Sequence, residues 1–297
     1  MKLDIIVPHY KENTKQIMQT LTMINNQVGV PFEDILVTVV TDKNGCQLNT
    51  NLIKKLMNFK CKFMYTDQHL GPGYARQYAI DRTKGDYMIF CDSDDIFISP
   101  FVLRYFFDKV KENPDVEVIF TGYLEEMYIN GEYIYERKDD DVSITCLHGK
   151  LYKRSFIEKH NIRFPNFMIA EDGAWNFKVI CHAKVAIFDD DMVTYLWKYN
   201  PKSLTREGTT FVDYAVNIRS FADSIQGFEA FFDEIINNPT SQVNTNIIAP
   251  FINSLFMRLN MITTIPGLTE DNWKEIGRTQ ARLAECVEKY KEYLPHD

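Results

Sequence analysis

The sequence predicts an α/β fold in which a mostly parallel central sheet is followed by a helical C-terminal region. Two observations indicate this fold class. From Leu3 to Cys91, short apolar or β-branched runs alternate with helical periodicity, which is typical of a parallel sheet covered by helices. From about Glu207 onward, only helical periodicity remains.

The first elements form repeated β-α-β units. Leu3–Pro8 is a short apolar run that ends at a proline, and Ile35–Val40 is a β-branched run of the same length, so both are predicted to be buried strands. Between them, Ile17, Leu21 and Ile24 recur at helical spacing. The pattern continues with helices predicted over residues 48–59 and 73–84 and with strands predicted over 62–66 and 87–91.

The regular alternation ends after Asp95. A helix is predicted over residues 100–113, followed by a hairpin over 116–128 and 132–136 that turns at Asn130-Gly131. Later elements are predicted as helices over 153–160 and 172–183, strands over 185–188 and 192–198, and helices over 211–236, 247–263 and 269–290. We therefore predict two parts, a domain over residues 1–206 and a helical region over 207–297.

Composition and charge exclude some functions. The 297 residues carry 41 acidic and 33 basic side chains, a formal net charge of −8, which argues against a polyanion binder that works by bulk charge. The region 207–297 alone carries 13 acidic and 7 basic side chains, or −6. A hydrophobic content of 45% is enough for a sizeable core, so the chain is expected to be globular.

Cysteine spacing and apolar runs predict a cytoplasmic protein. The six cysteines show no CxxC spacing, so we expect reduced thiols rather than a zinc site. The apolar run near the N-terminus is too short for a signal-peptide core. Residues 247–265 are apolar but are interrupted by Pro250, Asn253, Arg258 and Asn260, which predicts a core helix rather than a membrane span, with interfacial membrane contact as the alternative.

An acidic cluster is the densest chemical signal in the sequence. The apolar strand predicted over residues 87–91 ends in Asp92, Asp94 and Asp95. Adjacent like charges destabilise a fold unless a cation balances them, and oxygen ligands of this kind suit Mg²⁺ or Mn²⁺ shared with substrate phosphates. The carboxyl end of a strand is also where open α/β sheets bind ligands. The alternative is a solvated acidic turn that caps the helix after Ser99-Pro100.

Four segments, in this order, resemble the family 2 glycosyltransferases: residues 5–12, 71–77, 85–95 and 171–173. The resemblance covers about residues 1–206 and leaves the helical region outside it. It implies the GT-A fold, which is Rossmann-like, and an inverting, metal-dependent transfer of a sugar from a nucleotide-sugar donor to a hydroxyl.

The resemblance assigns the nucleotide pocket. It implies that Pro8, Tyr10 and Glu12 line the base and ribose, and that Asp42 accepts a hydrogen bond from a uracil imide. The family usually has two acidic residues followed by Gly-Ser after the second strand, whereas this chain has Thr41-Asp42-Lys43-Asn44-Gly45. This departure leaves the identity of the base open. The alternative for Tyr10 is that its ring packs in the hydrophobic core instead of stacking on a base.

The next two segments imply contacts to phosphate and metal. Gly71–Gln77 resembles the family's Gly-x-x-x-Ala-Arg-Asn, so Arg76 is expected to reach the nucleotide, although the glycines alone could only form a turn. In the acidic cluster, the resemblance implies that Asp92 binds the ribose and, with Asp94, the metal. It places Asp95 near the donor sugar. The implied cofactor is Mn²⁺ or Mg²⁺.

Three further segments complete the implied site. Asp172 is implied to be the catalytic base and Glu171 to position the acceptor, with a helix cap as the alternative for either residue. His148 and Lys150 are implied to meet the donor sugar or a phosphate, again with a helix-cap alternative. Lys198 and Arg206 are candidates for stabilising the leaving diphosphate, or belong to a solvated basic loop.

The leading hypothesis is a hexosyltransferase that uses a nucleotide-sugar donor, expected to be a UDP-hexose, and a glycan or cell-surface polymer as acceptor. The alternatives are a phage-type enzyme that glycosylates DNA bases, a sugar nucleotidyltransferase, and a non-catalytic carbohydrate-binding relative. The acidic charge argues against nucleic acid as the acceptor. The helical region is expected to recognise the acceptor or to form a homodimer.

Overall fold

The computed structural model describes residues 1–138, 146–165, 171–201, 225–237, 245–264 and 266–294. The chain divides into two compact units. The first unit comprises Met1–Asn166 and Ala183–Tyr199, and the second comprises Phe167–His182 and Asn200–Asp297. The boundary predicted after residue 206 falls outside the described residues.

The first unit begins with four parallel strands, as predicted. They pair in the order β3-β2-β1-β4, and helices α1, α2 and α3 connect them in sequence. The elements are β1 (Leu3–His9), α1 (Thr14–Asn25), β2 (Ile35–Thr41), α2 (Thr50–Leu56), β3 (Lys60–Tyr65), α3 (Pro72–Ile80) and β4 (Tyr87–Phe90).

The sheet continues beyond β4 with mixed pairing. Strand β8 is antiparallel to β4 and to β6, whereas β6 and β9 are parallel, so the full order is β3-β2-β1-β4-β8-β6-β9-β5 with β7 paired to β6. The elements are β5 (Ile96–Phe97), α4 (Val102–Glu112), β6 (Val118–Ile129), β7 (Glu132–Lys138), β8 (Lys150–Lys153), α5 (Arg154–Lys159) and β9 (Ala186–Trp197). The predicted α/β class is confirmed, with a nine-stranded sheet.

The apolar pattern of the sequence explains the core of this unit. All seven residues of β1 are buried, as expected for a central strand covered on both faces. Helix α1 presents Ile17, Leu21 and Ile24 to the same core, and it begins with a capping box between Asn13 and Gln16. Hairpin β6–β7 turns at Asn130 and Gly131, both with positive φ, as the sequence predicts.

Two short strands were not predicted, and one prediction of local structure was wrong. Residues 150–153 form strand β8 before the predicted helix begins, and β5 was missed, because strands of four and two residues are too short to show alternation. The strands predicted over 185–188 and 192–198 are one strand, β9. Asp189-Asp190-Asp191 resembles a turn in the sequence, but β9 passes through it with a shift of register against β6.

The second unit is helical where it is described, apart from its connecting turns. Helices α6 (Glu171–His182), α7 (residues 225–237), α8 (Ile248–Thr263) and α9 (Glu270–Tyr290) supply a separate core. Ile248, Ile252 and Leu255 of α8 are buried in it, so the core helix predicted for this stretch is confirmed. Within the described ranges, no helix is long and apolar enough to cross a membrane.

A buried ion pair joins β1 to the start of α5. The Arg154 guanidinium donates to Asp4 Oδ2 at 2.6 Å, and three of its other N–H groups donate to the Gly85 and Ile80 carbonyls and to the Thr83 hydroxyl. The Gly85 amide also donates to Asp4, at 2.7 Å. Backbone and hydroxyl groups thus support the pair, and removing one partner would leave the other charged and buried.

We expect Arg154→Ala to lower the free energy of unfolding by about 3–5 kcal/mol, because it leaves the Asp4 carboxylate without its partner. Arg163→Ala is the matched control, since Arg163 pairs with Asp81 at 2.8 Å but is 52% exposed. The control should cost under about 1 kcal/mol. Urea unfolding of both variants measures the difference, and similar small losses for the two would contradict the importance of the Asp4 pair.

Candidate active site

The predicted site residues of the first unit follow strands that are neighbours in the sheet. Strand β1 pairs in parallel with both β2 and β4, so the loops after these three strands leave the same edge. The loops carry Tyr10 and Glu12 after β1, Asp42 after β2 and the acidic cluster after β4. This is the carboxyl edge, where α/β sheets bind ligands. Pro8 is buried within β1, opposite Val40.

Asp42 is held by four hydrogen-bond donors. Its Oδ1 accepts from the Thr66 hydroxyl at 2.6 Å and from the Lys43 amide at 2.9 Å. Its Oδ2 accepts from His69 Nδ1 at 2.8 Å and from the Gly71 amide at 3.2 Å. The side chain is only 5% exposed, so this carboxylate has a fixed orientation at the end of β2.

An aromatic surface lies next to Asp42. The Tyr10 ring stacks on the His69 ring, with centroids 4.4 Å apart and planes inclined by 22°. Glu12 Oε2 accepts from the Tyr10 amide at 3.3 Å and from the Ser93 hydroxyl at 2.9 Å. Glu12 therefore connects the loop after β1 to the acidic loop after β4, and a flat ring, a fixed carboxylate and the acidic cluster share one edge.

Tyr195 of β9 organises the acidic loop. Its hydroxyl donates to Asp95 Oδ2 at 2.7 Å and accepts the Asp92 amide at 3.0 Å. The other oxygen of Asp95 accepts the Lys198 amide at 2.8 Å. Burial, together with the neighbouring Asp94 carboxylate, raises the pKa of Asp95 well above its ordinary value. Asp95 is thus a fixed, fully buried group rather than a solvated one.

Asp92 faces a different environment from Asp95. Arg76 Nη2 donates to Asp92 Oδ1 at 2.6 Å, a contact that the sequence did not predict. Burial alone would raise the pKa of Asp92, but the Arg76 guanidinium and His148 outweigh it and hold that pKa well below its ordinary value. Asp92 is ionised, so the loop offers a permanent negative charge at this position.

His148 closes the cluster. Its Nε2 lies 3.9 Å from Asp92 Oδ2 and 3.9 Å from Asp95 Oδ2, and its ring stacks on Tyr195 with centroids 4.6 Å apart. Burial would lower the pKa of His148, but the Cys146 sulfur and the Asp92 carboxylate outweigh it and raise the pKa to about 10. A proton on this imidazole and a divalent cation are therefore alternative ways to balance the same carboxylates.

The cluster fits a divalent cation. Asp92, Asp95 and His148 each offer a ligand atom, and these atoms lie within 4.8 Å of one another. Two carboxylate oxygens and one imidazole nitrogen are a donor set that accepts Mn²⁺, while the oxygens alone suit Mg²⁺. This group differs from the predicted pair Asp92 and Asp94, since Asp95 and His148 stand in it and Asp94 does not. A metal role for Asp94 stays a prediction.

The remaining predicted residues have varied surroundings. Lys150 is wholly buried, and its amine donates to the His148 carbonyl at 3.1 Å, so it supports the loop from inside. The Lys198 amine donates to Gln19 at 3.0 Å. Arg206 lies outside the described residues.

Glu171 and Asp172 belong to the second unit, where they begin helix α6. Glu171 is buried, and Asp172 Oδ1 accepts the Gly173 amide at 2.8 Å. Carboxylates in a first helical turn are stabilised by the free amides there. Both the predicted catalytic role and the predicted capping role therefore stay predictions.

Sequence reasoning missed Tyr195, His69 and Thr66. Tyr195 is 103 residues from Asp92 along the chain, so no local motif connects them. His69 and Thr66 lie close to the Gly71 segment, and a polar cluster just before a glycine-rich helix start was the signal that could have identified them.

The comparisons with known proteins identify the family of this chain. The family model described as glycosyl transferase family 2 matches residues 4–179, so the chain belongs to that family. A poly(ribitol-phosphate) beta-glucosyltransferase of Bacillus spizizenii is 28% identical over 208 residues, which is 67% of this chain and 32% of that protein. The chain thus spans about a third of the length of this relative.

Two solved structures show the same fold. Staphylococcus aureus TarS 1-349 in complex with UDP-GlcNAc matches with a TM-score of 0.74 at 20% identity, covering 99% of this chain and 82% of that one. The mannosyltransferase PcManGT from Pyrobaculum calidifontis, in complex with GDP-Man and Mn²⁺, matches with a TM-score of 0.56 at 15% identity, covering 97% and 75%. The predicted GT-A fold, with its helical C-terminal segment, is confirmed.

We expect Tyr195→Phe to lower the free energy of unfolding by about 1–3 kcal/mol, because it leaves a buried Asp95 oxygen and the Asp92 amide without their shared partner. Tyr65→Phe is the matched control, since Tyr65 is 55% exposed, and it should change stability by less than about 0.5 kcal/mol. Chemical unfolding monitored by fluorescence gives both values. Equal effects would show that the Tyr195 hydroxyl does not hold the acidic loop.

Proposed function

We propose that the protein transfers a hexose from a UDP-sugar to a hydroxyl group of a cell-surface polymer, with inversion at the anomeric carbon and with a divalent cation bound. The observation that carries this proposal is the shared edge of the sheet. There the Tyr10 ring and the fixed Asp42 carboxylate lie beside an acidic loop whose Asp92 is paired with Arg76. These are the groups that a base, a ribose and a diphosphate require.

The nucleoside would occupy the part of the edge formed by the loops after β1 and β2. Tyr10 offers an aromatic face for the base, and Asp42 is proposed to accept the imide N–H of uracil in place of its bond from His69, the donor side chain that is 38% exposed. The other three donors keep the Asp42 carboxylate in one orientation, so it is proposed to select a base by the position of the donor group on that base. Glu12 and Asp92 are proposed to bind the ribose hydroxyls, and Pro8 is proposed to line the same pocket.

The cation would be held by Asp92, with Asp95 and His148 or with Asp94. When bound, it supplies positive charge that stabilises the departing diphosphate. Arg76 contributes a second positive charge at Asp92, and Lys198 and Arg206 are the proposed further partners of the leaving group. Tyr195 keeps the Asp95 carboxylate and the Asp92 backbone in place, which limits reorganisation of the loop during transfer.

Asp172 is the proposed catalytic base. Its carboxylate takes the proton of the acceptor hydroxyl as the acceptor oxygen forms a bond to the anomeric carbon. The bond from the anomeric carbon to the diphosphate oxygen breaks on the opposite side, and the electron pair leaves with UDP. This single displacement inverts the anomeric carbon. Glu171, the buried residue that precedes Asp172 in the sequence, is proposed to position the acceptor.

The proposed acceptor class is supported by the names of the relatives. The Bacillus spizizenii relative is named for a poly(ribitol-phosphate) acceptor, and we propose a cell-surface polymer for this chain. The helical region, with its net charge of −6 over residues 207–297, is proposed to recognise the acceptor or to form a homodimer. We place the reaction in the cytoplasm, where nucleotide sugars are the donors.

We expect one UDP-sugar to bind in calorimetry when Mn²⁺ is present, and its affinity to fall at least about tenfold after chelation, because the cation balances the acidic loop and the diphosphate. The panel is UDP-glucose, UDP-N-acetylglucosamine, UDP-galactose and GDP-mannose. Asp42→Ala should abolish the binding, while Asp67→Ala serves as the control. Folded protein that binds no member of the panel would contradict the proposed donor site.

We expect Asp172→Asn to reduce kcat by about 10²–10⁴-fold, because the amide cannot accept the acceptor proton. Donor affinity should stay unchanged, since Asp172 is not proposed to touch the nucleotide. Asp271→Asn, an acidic residue 91% exposed in the second unit, is the matched control. Steady-state transfer measures kcat, and near-normal turnover by Asp172→Asn would assign the base to another residue.

A further inference from the structure

Hairpin β6–β7 exposes an unusual number of tyrosines. Tyr128, Tyr133 and Tyr135 are 47%, 58% and 54% exposed, although each is a large aromatic side chain. Tyr199, just after β9, packs against the first two. We name these four residues the tyrosine platform. Exposed aromatic groups gathered in one place indicate an interaction surface.

The register places these rings on one face of the hairpin. Tyr128 is opposite Tyr133, and Glu126 is opposite Tyr135, so Tyr128, Tyr133 and Tyr135 project to the same side. The ring centroids of Tyr128 and Tyr133 are 5.0 Å apart. The ring centroid of Tyr199 lies 5.7 Å from that of Tyr128 and 6.4 Å from that of Tyr133. Three rings therefore form a contiguous cluster with half-exposed faces and edges.

A buried carboxylate supports the platform. Glu126 is 7% exposed, and its two oxygens accept from the Tyr135 hydroxyl at 3.5 Å and from the Tyr199 amide at 3.3 Å. Burying a carboxylate is unfavourable unless hydrogen bonds compensate it. Through these hydrogen bonds, Glu126 fixes the positions of Tyr199 and Tyr135 relative to strand β6.

The platform is continuous with the candidate active site. The Lys198 amide donates to Asp95 of the acidic loop, and the next amide along the chain, that of Tyr199, donates to Glu126 of the platform. Consecutive amides therefore bind the two carboxylates. A chain-like molecule lying along this surface would extend from the acidic loop onto the tyrosine rings.

We propose that the tyrosine platform binds uncharged sugar or polyol units of the acceptor chain next to the unit that receives the hexose. The inference rests on the proposed transfer function. Sugar rings present C–H faces that pack on aromatic rings and hydroxyls that hydrogen-bond to tyrosine. Tyrosine also supplies contact area at low conformational-entropy cost, which suits a weak, repeated contact with a polymer.

Charge selects an uncharged occupant. Residues 123–138 carry four glutamates against Arg137 and Lys138, and the Lys138 amine already pairs with Glu125 and Glu136. The hairpin is therefore net negative and would repel a phosphate-bearing or other anionic chain. A glycan segment without charge avoids this repulsion, so next to the transfer site the acceptor of this chain is proposed to differ from the phosphate-bearing polymer for which the Bacillus spizizenii relative is named.

The test measures binding of neutral hexasaccharides (cellohexaose, maltohexaose and chitohexaose) to the full chain, by calorimetry and by ring signals of labelled tyrosine. We expect at least one to bind, and Tyr128→Ala/Tyr133→Ala to weaken it at least about fivefold through loss of ring contacts. Tyr128→Phe/Tyr133→Phe should keep the affinity within about threefold. Tyr65→Ala is the control. Tyr65 is 55% exposed and belongs to β3, the end strand of the sheet that is distant from β6 in the strand order, so its loss should have no effect.

Other results would overturn the proposal. It fails if none of the three glycans binds, if the alanine pair binds them as the wild type does, or if heparin binds the platform in their place. It also fails if sedimentation shows that the tyrosines hold two copies of the chain together. Binding of UDP-sugar by the alanine pair is measured in parallel. If the wild-type protein binds no UDP-sugar, the proposed transfer function fails. If the alanine pair binds UDP-sugar but not the glycans, the result concerns the platform alone.

Discussion

Mutual repulsion among Asp92, Asp94 and Asp95 is the constraint around which the site is arranged. Three carboxylates within four residues at the end of β4 destabilise the loop unless their charges are balanced and their oxygens are bonded. Arg76 balances Asp92, and Tyr195 and the Lys198 amide bind both oxygens of Asp95. The imidazole of His148 completes the cluster on the side of β8. The negative charge that these partners leave unbalanced is what a bound cation would offset.

The pairing of β5 with β9 meets part of this requirement. Strand β5 has two residues, and it pairs Ile96 with Leu196 and Phe97 with Tyr195. Because β5 directly follows the acidic loop, this short pairing brings the Tyr195 hydroxyl within hydrogen-bonding distance of the Asp92 amide and the Asp95 carboxylate. The same strand, β9, leads into Lys198 and Tyr199, whose amides bind Asp95 and Glu126. One strand end therefore supports both the acidic loop and the neighbouring tyrosine surface.

Sequence reasoning recovered the parts of the molecule that have a local signature. The parallel strands β1, β2 and β4 show as apolar runs, and the acidic cluster is visible because its three carboxylates are close in sequence. Contacts such as those of Tyr195 and His148 with the acidic loop join residues far apart along the chain, so periodicity and spacing carry no trace of them. Strand β9 was divided in two because Asp189-Asp190-Asp191 resembles a turn, whereas its pairing with β6 continues through a shift of register.

The central claim is that the acidic loop holds the cation that the donor diphosphate shares. Anomalous diffraction at the manganese edge, from crystals grown with Mn²⁺ and UDP, tests it most directly. The account predicts one strong peak in contact with Asp92 and with at least one of Asp94, Asp95 and His148, beside a diphosphate whose uracil lies at Tyr10 and Asp42. A manganese peak bound elsewhere, or UDP bound away from this edge of the sheet, would contradict it.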